Sequence, residues 1–179
     1  EEIDRFFWNL LPRTSFSSIM RTVRPVGGGR KFQALRQALE KQGRDLSESA
    51  VIGDSITDSV MLEKVREAGG LALSFNGNRY AIRCANVAVI SDNCLVTAAV
   101  VETYRRSGLD TIREISEGTA GEGLGAWVSG DHLSDRLRLR LSEAFSGTEG
   151  YPRIYWVDET NLDEVVGLSE AFRKKVMNM

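Results

Sequence analysis

Two aspartates four residues apart, Asp54 and Asp58, follow the short apolar run Val51-Ile52-Gly53. Carboxylates at the C-terminal end of a buried parallel strand face the crevice where open α/β sheets bind ligands. There the next helix also presents its positive N-terminus. Such a pair can hold a hard cation, because Mg²⁺ favours one or two carboxylates completed by water and substrate phosphate. It can equally be structural, since Asp58 with Ser55 or Thr57 would cap a helix. Gly53 is expected to let the backbone turn tightly, so that Asp54 faces the crevice and Asp58 falls near the start of the next helix. Lys31 stands 22 residues before Gly53 (53 − 31), just after Gly27-Gly28-Gly29 and at the head of a helical pattern. Alone it would be an ordinary surface lysine. Beside the carboxylates, it would set a compact positive charge against a phosphate or a developing phosphoryl charge.

Other reactive residues are sparse. Cys84 and Cys94 are ten apart without paired spacing, and His132 is the one histidine, so neither a zinc site nor a disulfide framework is indicated. The cysteines are expected to be buried or half-buried free thiols, and His132 to serve a loop or helix start. Gly118 to Gly125 has glycine spacings that resemble dinucleotide loops. No apolar strand precedes it and Glu122 would oppose a pyrophosphate, so it is read as a linker. Gly27 to Lys31 lacks the spacing and the Ser/Thr of a nucleotide P-loop.

The elements that must position Lys31, Asp54 and Asp58 alternate in type. Ile19 to Val26 reads as strand material running into the glycines. Lys31 opens a helix with Phe32, Leu35, Ala38 and Leu39 at helical spacing, ending near Gly43. Ala50 to Gly53 is a buried parallel strand. Val60, Met61, Leu62, Val65 and Ala68 mark a helix stopped by Gly69-Gly70. Leu71 to Leu73 is a strand, Arg79 to Cys84 a helical turn, Val87 to Ile90 a strand and Leu95 to Tyr104 a helix. This order predicts an α/β fold, a Rossmann-like parallel sheet with flanking helices. From Ser107 the texture changes. Asp110 to Ile115 and Leu133 to Phe145 read as helices, the latter with packed leucines and solvated arginines. Arg153 to Val157 is a short strand and Leu162 to Met177 a final helix. The organisation expected is therefore 1–19 as a remnant of an upstream element, 20–106 as core, and 107–179 as a mainly helical C-terminal extension onto which Tyr151 to Asp158 packs.

The ordered set of Lys31, its helix, Gly53-Asp54-x-x-x-Asp58, Met61-Leu62 and strand Leu71 to Leu73 resembles motifs III and IV of the haloacid dehalogenase superfamily of phosphatases. The Cof-like and sucrose-phosphatase-like branch is the nearest pattern. The resemblance continues through Ser74-Phe75-Asn76-Gly77-Asn78 and Ser91-Asp92-Asn93, and covers about half the chain, residues 20–106. It implies an HAD-like partial core and Mg²⁺-dependent phosphomonoester hydrolysis of a phosphorylated small molecule, with phosphoryl transfer between sugars as a variant. By the same resemblance Asp54 would be a direct or water-mediated metal ligand and Asp58 the second acidic residue of the metal shell. Lys31 would act as the phosphate-side catalytic cation, with Asn76 and Asn78 lining the pocket mouth. Thr57 stands where the family usually has Asn. More seriously, motif I, an apolar strand followed by Asp-x-Asp, supplies the family's nucleophile and acid/base, and no Asp-x-Asp occurs in this sequence. Motif II has only Thr14, Ser15, Ser17 and Ser18 as nearby candidates, none after a suitable strand. Three readings follow: a fragment of a longer phosphatase, favoured by the abrupt Glu1-Glu2-Ile3-Asp4 start; one subunit of a split enzyme; or a non-catalytic relative used for binding or assembly. Self-association over surface left by a missing N-terminal half is expected.

Composition agrees with a globular chain: 179 residues, 42% apolar and 27% charged, with 3 prolines and 17 glycines. Lys and Arg number 23 against 25 Asp and Glu, a net −2 that offers no basic field for nucleic acid. No apolar run approaches the roughly 18 to 20 residues that span a bilayer. The start lacks a basic signal-peptide region, and the chain is read as cytoplasmic, without membrane or nucleic-acid partners.

Overall fold

The structure, a computed structural model, describes residues 2–23, 26–119, 123–146 and 152–177. The order is α1 (Glu2–Asp4), a π-helical turn (Arg5–Leu10), a 3-10 turn (Leu11–Arg13), α2 (Phe16–Thr22), α3 (Gly29–Gln42), β1 (Ala50–Gly53), α4 (Ser59–Glu67), β2 (Leu71–Phe75), α5 (Arg79–Cys84), β3 (Val87–Ile90), α6 (Leu95–Gly118), α7 (Gly125–Ser129), α8 (Asp135–Ala144), β4 (Arg153–Trp156) and α9 (Leu162–Met177). Among the described residues these strands form one sheet in the order β1-β2-β3-β4. The first three strands are parallel and β4 is antiparallel to β3. The fold is thus α/β and Rossmann-like, mostly parallel, with flanking helices and a mainly helical C-terminal part.

Strand alternation sorts the side chains into two cores. Leu71, Leu73, Val87, Val89 and Ile154 meet Val96, Val100 and Ile112 of α6 and Trp127 of α7. On the other face Val51, Ala72 and Ala81 pack with Leu62 and Val65 of α4, while Ala88, Ile90 and Tyr155 pack with Ile82 of α5 and Val165 and Phe172 of α9. Both faces of β2 and β3 are covered, which is why these strands read as continuous apolar runs. β1 differs: Val51 and Gly53 are buried, but Ile52 on the α6 side is 45% exposed. Among the described residues β1 pairs with β2 alone and its other edge is open.

The C-terminal residues 107–179 are built into this sheet as well as following it. α6 runs on past Ser107, with one break at Gly108, whose φ of 83° only glycine adopts easily. β4 then completes the sheet, with Val87 opposite Trp156. α8 is capped by Ser134, which accepts from Leu137 N–H. Its leucines divide: Leu141 is buried, whereas Leu139 lies in solvent. His132 occupies the preceding turn, its Nε2 2.8 Å from Trp127 O. The middle of the expected Gly118 to Gly125 linker, residues 120–122, and the expected packing of Tyr151 lie outside the described residues.

The strand expected over Ile19 to Val26 is not formed among the described residues of that range. Phe16–Thr22 is helical and only Val23 turns extended; Arg24 and Pro25 lie outside the described residues. A strand needs a sheet edge beside it. This segment meets its bonding needs locally instead, with Val23 N–H on Ile19 O at 3.3 Å and the Ser18 and Thr22 hydroxyls on Ser15 O and Ile19 O. Of the two thiols Cys84 is half-buried, within expectation, and Cys94 departs from it by being exposed.

Candidate functional site

β1 ends at Gly53, opposite Ser74 of β2, and the next residue is Asp54. The chain then makes a 3-10 turn, Ile56–Asp58, that leads directly into α4. Gly53 is needed here for room, not for a tight turn, since its φ is negative. A Cβ on Gly53 would sit 2.4 Å from Asp58 Cβ and 2.8 Å from Asp58 Cγ. The sequence expectation of a turn glycine is corrected accordingly: the missing side chain lets Asp58 fold back against the strand.

Asp58 is buried and fully engaged. Its Oδ2 accepts from the backbone N–H groups of Asp54 (3.1 Å) and Ser55 (3.2 Å) and from the Ser55 hydroxyl (3.2 Å). Its Oδ1 lies 2.5 Å from Lys31 Nζ, which also reaches Thr57 Oγ1 at 3.3 Å. Burial works to raise the Asp58 carboxyl's pKa, but Lys31 and the two backbone donors outweigh it and hold the carboxyl below its ordinary value. The capping and the ion-pair readings therefore coexist, one on each oxygen. Lys31 is delivered by the glycines before it: Gly28, at φ 52°, donates its N–H to Thr57 O at 2.9 Å and docks the start of α3 on the Asp58 turn.

Asp54 is the more available carboxylate, with 56% of its side chain exposed. Its Oδ2 lies 3.0 Å from Nη1 of Arg173 on α9. The same nitrogen reaches Asp54 O at 3.2 Å and Asn76 O at 2.7 Å. Asn78 N–H also donates to Asp54 O, at 2.9 Å, so the Asp54 and Asn76–Asn78 loops meet at one point. The site as a whole gathers two carboxylates and two cations, each carboxylate with its own partner.

The carboxamides of Asn76 and Asn78, expected at the pocket mouth, are committed elsewhere. Asn78 Oδ1 caps α5 through Tyr80 and Ala81 N–H. Asn76, at φ 46°, exchanges two bonds with the Ser91 backbone. It is the main-chain carbonyl of Asn76 that faces the site. Arg173 escaped the sequence reading because it lies 119 residues from Asp54 and a basic residue late in a helix is usually solvated. The one signal is periodicity: Ser169, one turn earlier, is buried at 1% exposure.

Oxygen donors of this kind fit a hard cation. The set is incomplete as a metal site, for among the described residues no group of three or more His, Cys, Asp or Glu could hold an ion. Water, a phosphate or a ligand from elsewhere would have to complete it. No helix among the described residues is long and apolar enough to cross a membrane.

No family model and no curated protein matches the chain. Among solved structures the chain is similar to the gene product AF1437 from Archaeoglobus fulgidus, at 26% identity and a TM-score of 0.59. The match covers 98% of this chain and 46% of that protein, so the chain spans less than half of its length.

Proposed function

We propose that this chain carries the cation- and phosphate-facing half of an HAD-like, Mg²⁺-dependent phosphomonoester hydrolase and does not turn over substrate alone. The observation that carries the reading is the Lys31–Asp58 pair at the C-terminal end of β1. That pair joins the two ordered segments of the motif through space, with Asp58 oriented by backbone and Asp54 left accessible beside it. Asp54 would hold the ion, directly or through water. Asp58 would position Lys31, and Lys31 would offset charge on a phosphate. When bound, Mg²⁺ supplies charge withdrawal from phosphoryl oxygens. The site is electrically balanced as it stands, and the +2 of the ion would match the charge of a phosphate dianion. A covalent step requires a carboxylate nucleophile, for which the sequence offers no Asp-x-Asp.

A second reading, a non-catalytic binding or assembly protein or one subunit of a split phosphatase, is favoured by the exposed apolar N-terminal segment and the open edge of β1. Magnesium titration by calorimetry, paired with p-nitrophenyl phosphate hydrolysis, tests the proposal. Binding lost in Asp54→Asn, without turnover in either protein, is the expected outcome. Robust Mg²⁺-dependent hydrolysis abolished by Asp54→Asn would overturn the claim of inactivity, and Mg²⁺ binding indifferent to Asp54 would overturn the site.

A further inference from the structure

Three oxygens converge on one guanidinium nitrogen. Asp54 Oδ2, Asp54 O and Asn76 O lie 3.0, 3.2 and 2.7 Å from Arg173 Nη1. An arginine that recognises a carboxylate for its own sake usually does so with two parallel N–H bonds, fork against fork. Here a single nitrogen serves one carboxylate oxygen and two peptide carbonyls. That nitrogen carries two N–H groups, so three acceptors exceed its donors and at least one contact is shared. A cluster of one carboxylate and two carbonyls around a point is a donor set that a spherical hard cation satisfies better than a two-proton donor.

We infer that Arg173 is a tethered cation standing in an oxygen cradle formed by Asp54 and Asn76, so that a divalent cation binds there only by displacing its side chain. The inference rests on the reading of Asp54 as a metal ligand and adds the two carbonyls and the internal competitor. α9 need not leave with the side chain. It is fixed one turn earlier by Ser169 Oγ on Gly77 O at 2.7 Å, by the Arg79–Glu170 ion pair at 3.2 Å, and by Val165 and Phe172 in the core. Arg173 itself keeps 28% of its side chain exposed and so has solvent to swing into.

The experiment is a calorimetric titration of the full chain with MgCl₂ at low ionic strength, comparing wild type, Arg173→Gln and Asp54→Asn. Arg173→Gln is expected to tighten Mg²⁺ binding on the order of tenfold, the scale of removing one positive charge a few ångströms from the ion. Asp54→Asn is expected to abolish it. Wild type that binds through Asp54, with Arg173→Gln equal or weaker, overturns the competition alone. Absence of binding in both wild type and Arg173→Gln, or binding that persists in Asp54→Asn, overturns the metal site and the inference with it. A second readout uses only the wild type: the Arg173 Nε–H resonance should shift in step with Mg²⁺ saturation, and a stationary resonance at saturation overturns the displacement.

Discussion

Asp54 and Asp58 share a residue type and a turn, yet the fold gives them opposite duties. Asp58 is buried and held by four protein donors, whereas the exposed Asp54 is held by one half-buried arginine. Asp58→Asn should therefore lower the unfolding free energy by about 1–3 kcal/mol, the cost of leaving buried partners unmatched. Asp54→Asn should cost under about 1 kcal/mol, as for exposed ion pairs. Urea unfolding of both variants checks the contrast, and equal losses would refute it. The folded carboxyl of Asp58 titrates below its unfolded value of 3.8. Its stabilisation is thus fully present above that value and is lost as pH falls from there through the depressed folded value. Asp58→Asn should blunt acid sensitivity below about pH 4 and leave the neutral-to-alkaline range parallel to wild type. Lys31, Asp54 and Asp58 were legible in the sequence because strand, glycine and helix signals lie within a few residues of each. Asn76 and Asn78 spend their carboxamides on nearby backbone, as short carboxamides readily do, and meet the site through main-chain groups that sequence cannot show; for Arg173 the one signal is helical periodicity from the buried Ser169.

The elements that set the site depend on two small spaces. Gly53 yields room to the Asp58 side chain, and Gly77 lies so close to Ser74 that an added Cβ would overlap its hydroxyl. Gly53→Ala should force Asp58 off the strand, cost about 1–3 kcal/mol as overpacking does, and weaken the Lys31 pair. Thermal unfolding together with the Lys31 Nζ resonance would reveal this, and a wild-type melting curve would count against it. Leu62 on α4 is fully buried between helix and sheet, so Leu62→Ala belongs with large core truncations, at about 2–5 kcal/mol. The strands β1, β2 and β3 could be read from the sequence because each is a compact apolar run bounded by polar or glycine residues, and β4 because Ile154-Tyr155-Trp156 favours a strand between Pro152 and Asp158. Ile19 to Val26 departed from that reading because its described residues meet their hydrogen bonds locally in a helix, although the edge of β1 is open. The pairing of β4 with β3 is a long-range outcome that no window around residues 153–156 contains.

At the scale of the whole molecule the apolar surface is uneven. Residues Ile3, Phe6, Phe7, Trp8, Leu10, Phe16, Ile19 and Met20 are exposed, Trp8 at 77%, and so are Ile52 and Ile56 beside the open edge of β1. α3 carries Lys31 but has no fully buried residue. Unpaired strand edges and contiguous apolar patches promote association. The chain should therefore show concentration-dependent self-association by light scattering after size exclusion. A strictly monomeric solution across the accessible range would argue against that expectation. Charge patterning cannot report such surface in advance, since only the fold decides which apolar residues find partners.

The sheet's spatial order follows its order along the chain, strand by strand from β1 to β4. During synthesis each strand after the first therefore emerges to find a ready edge made by residues already translated, with β1 to β3 joined by short local crossovers. Among these elements the helix that brings Arg173 to Asp54 is the last to arrive, so the Asp54–Arg173 pair closes only after all four strands have been made.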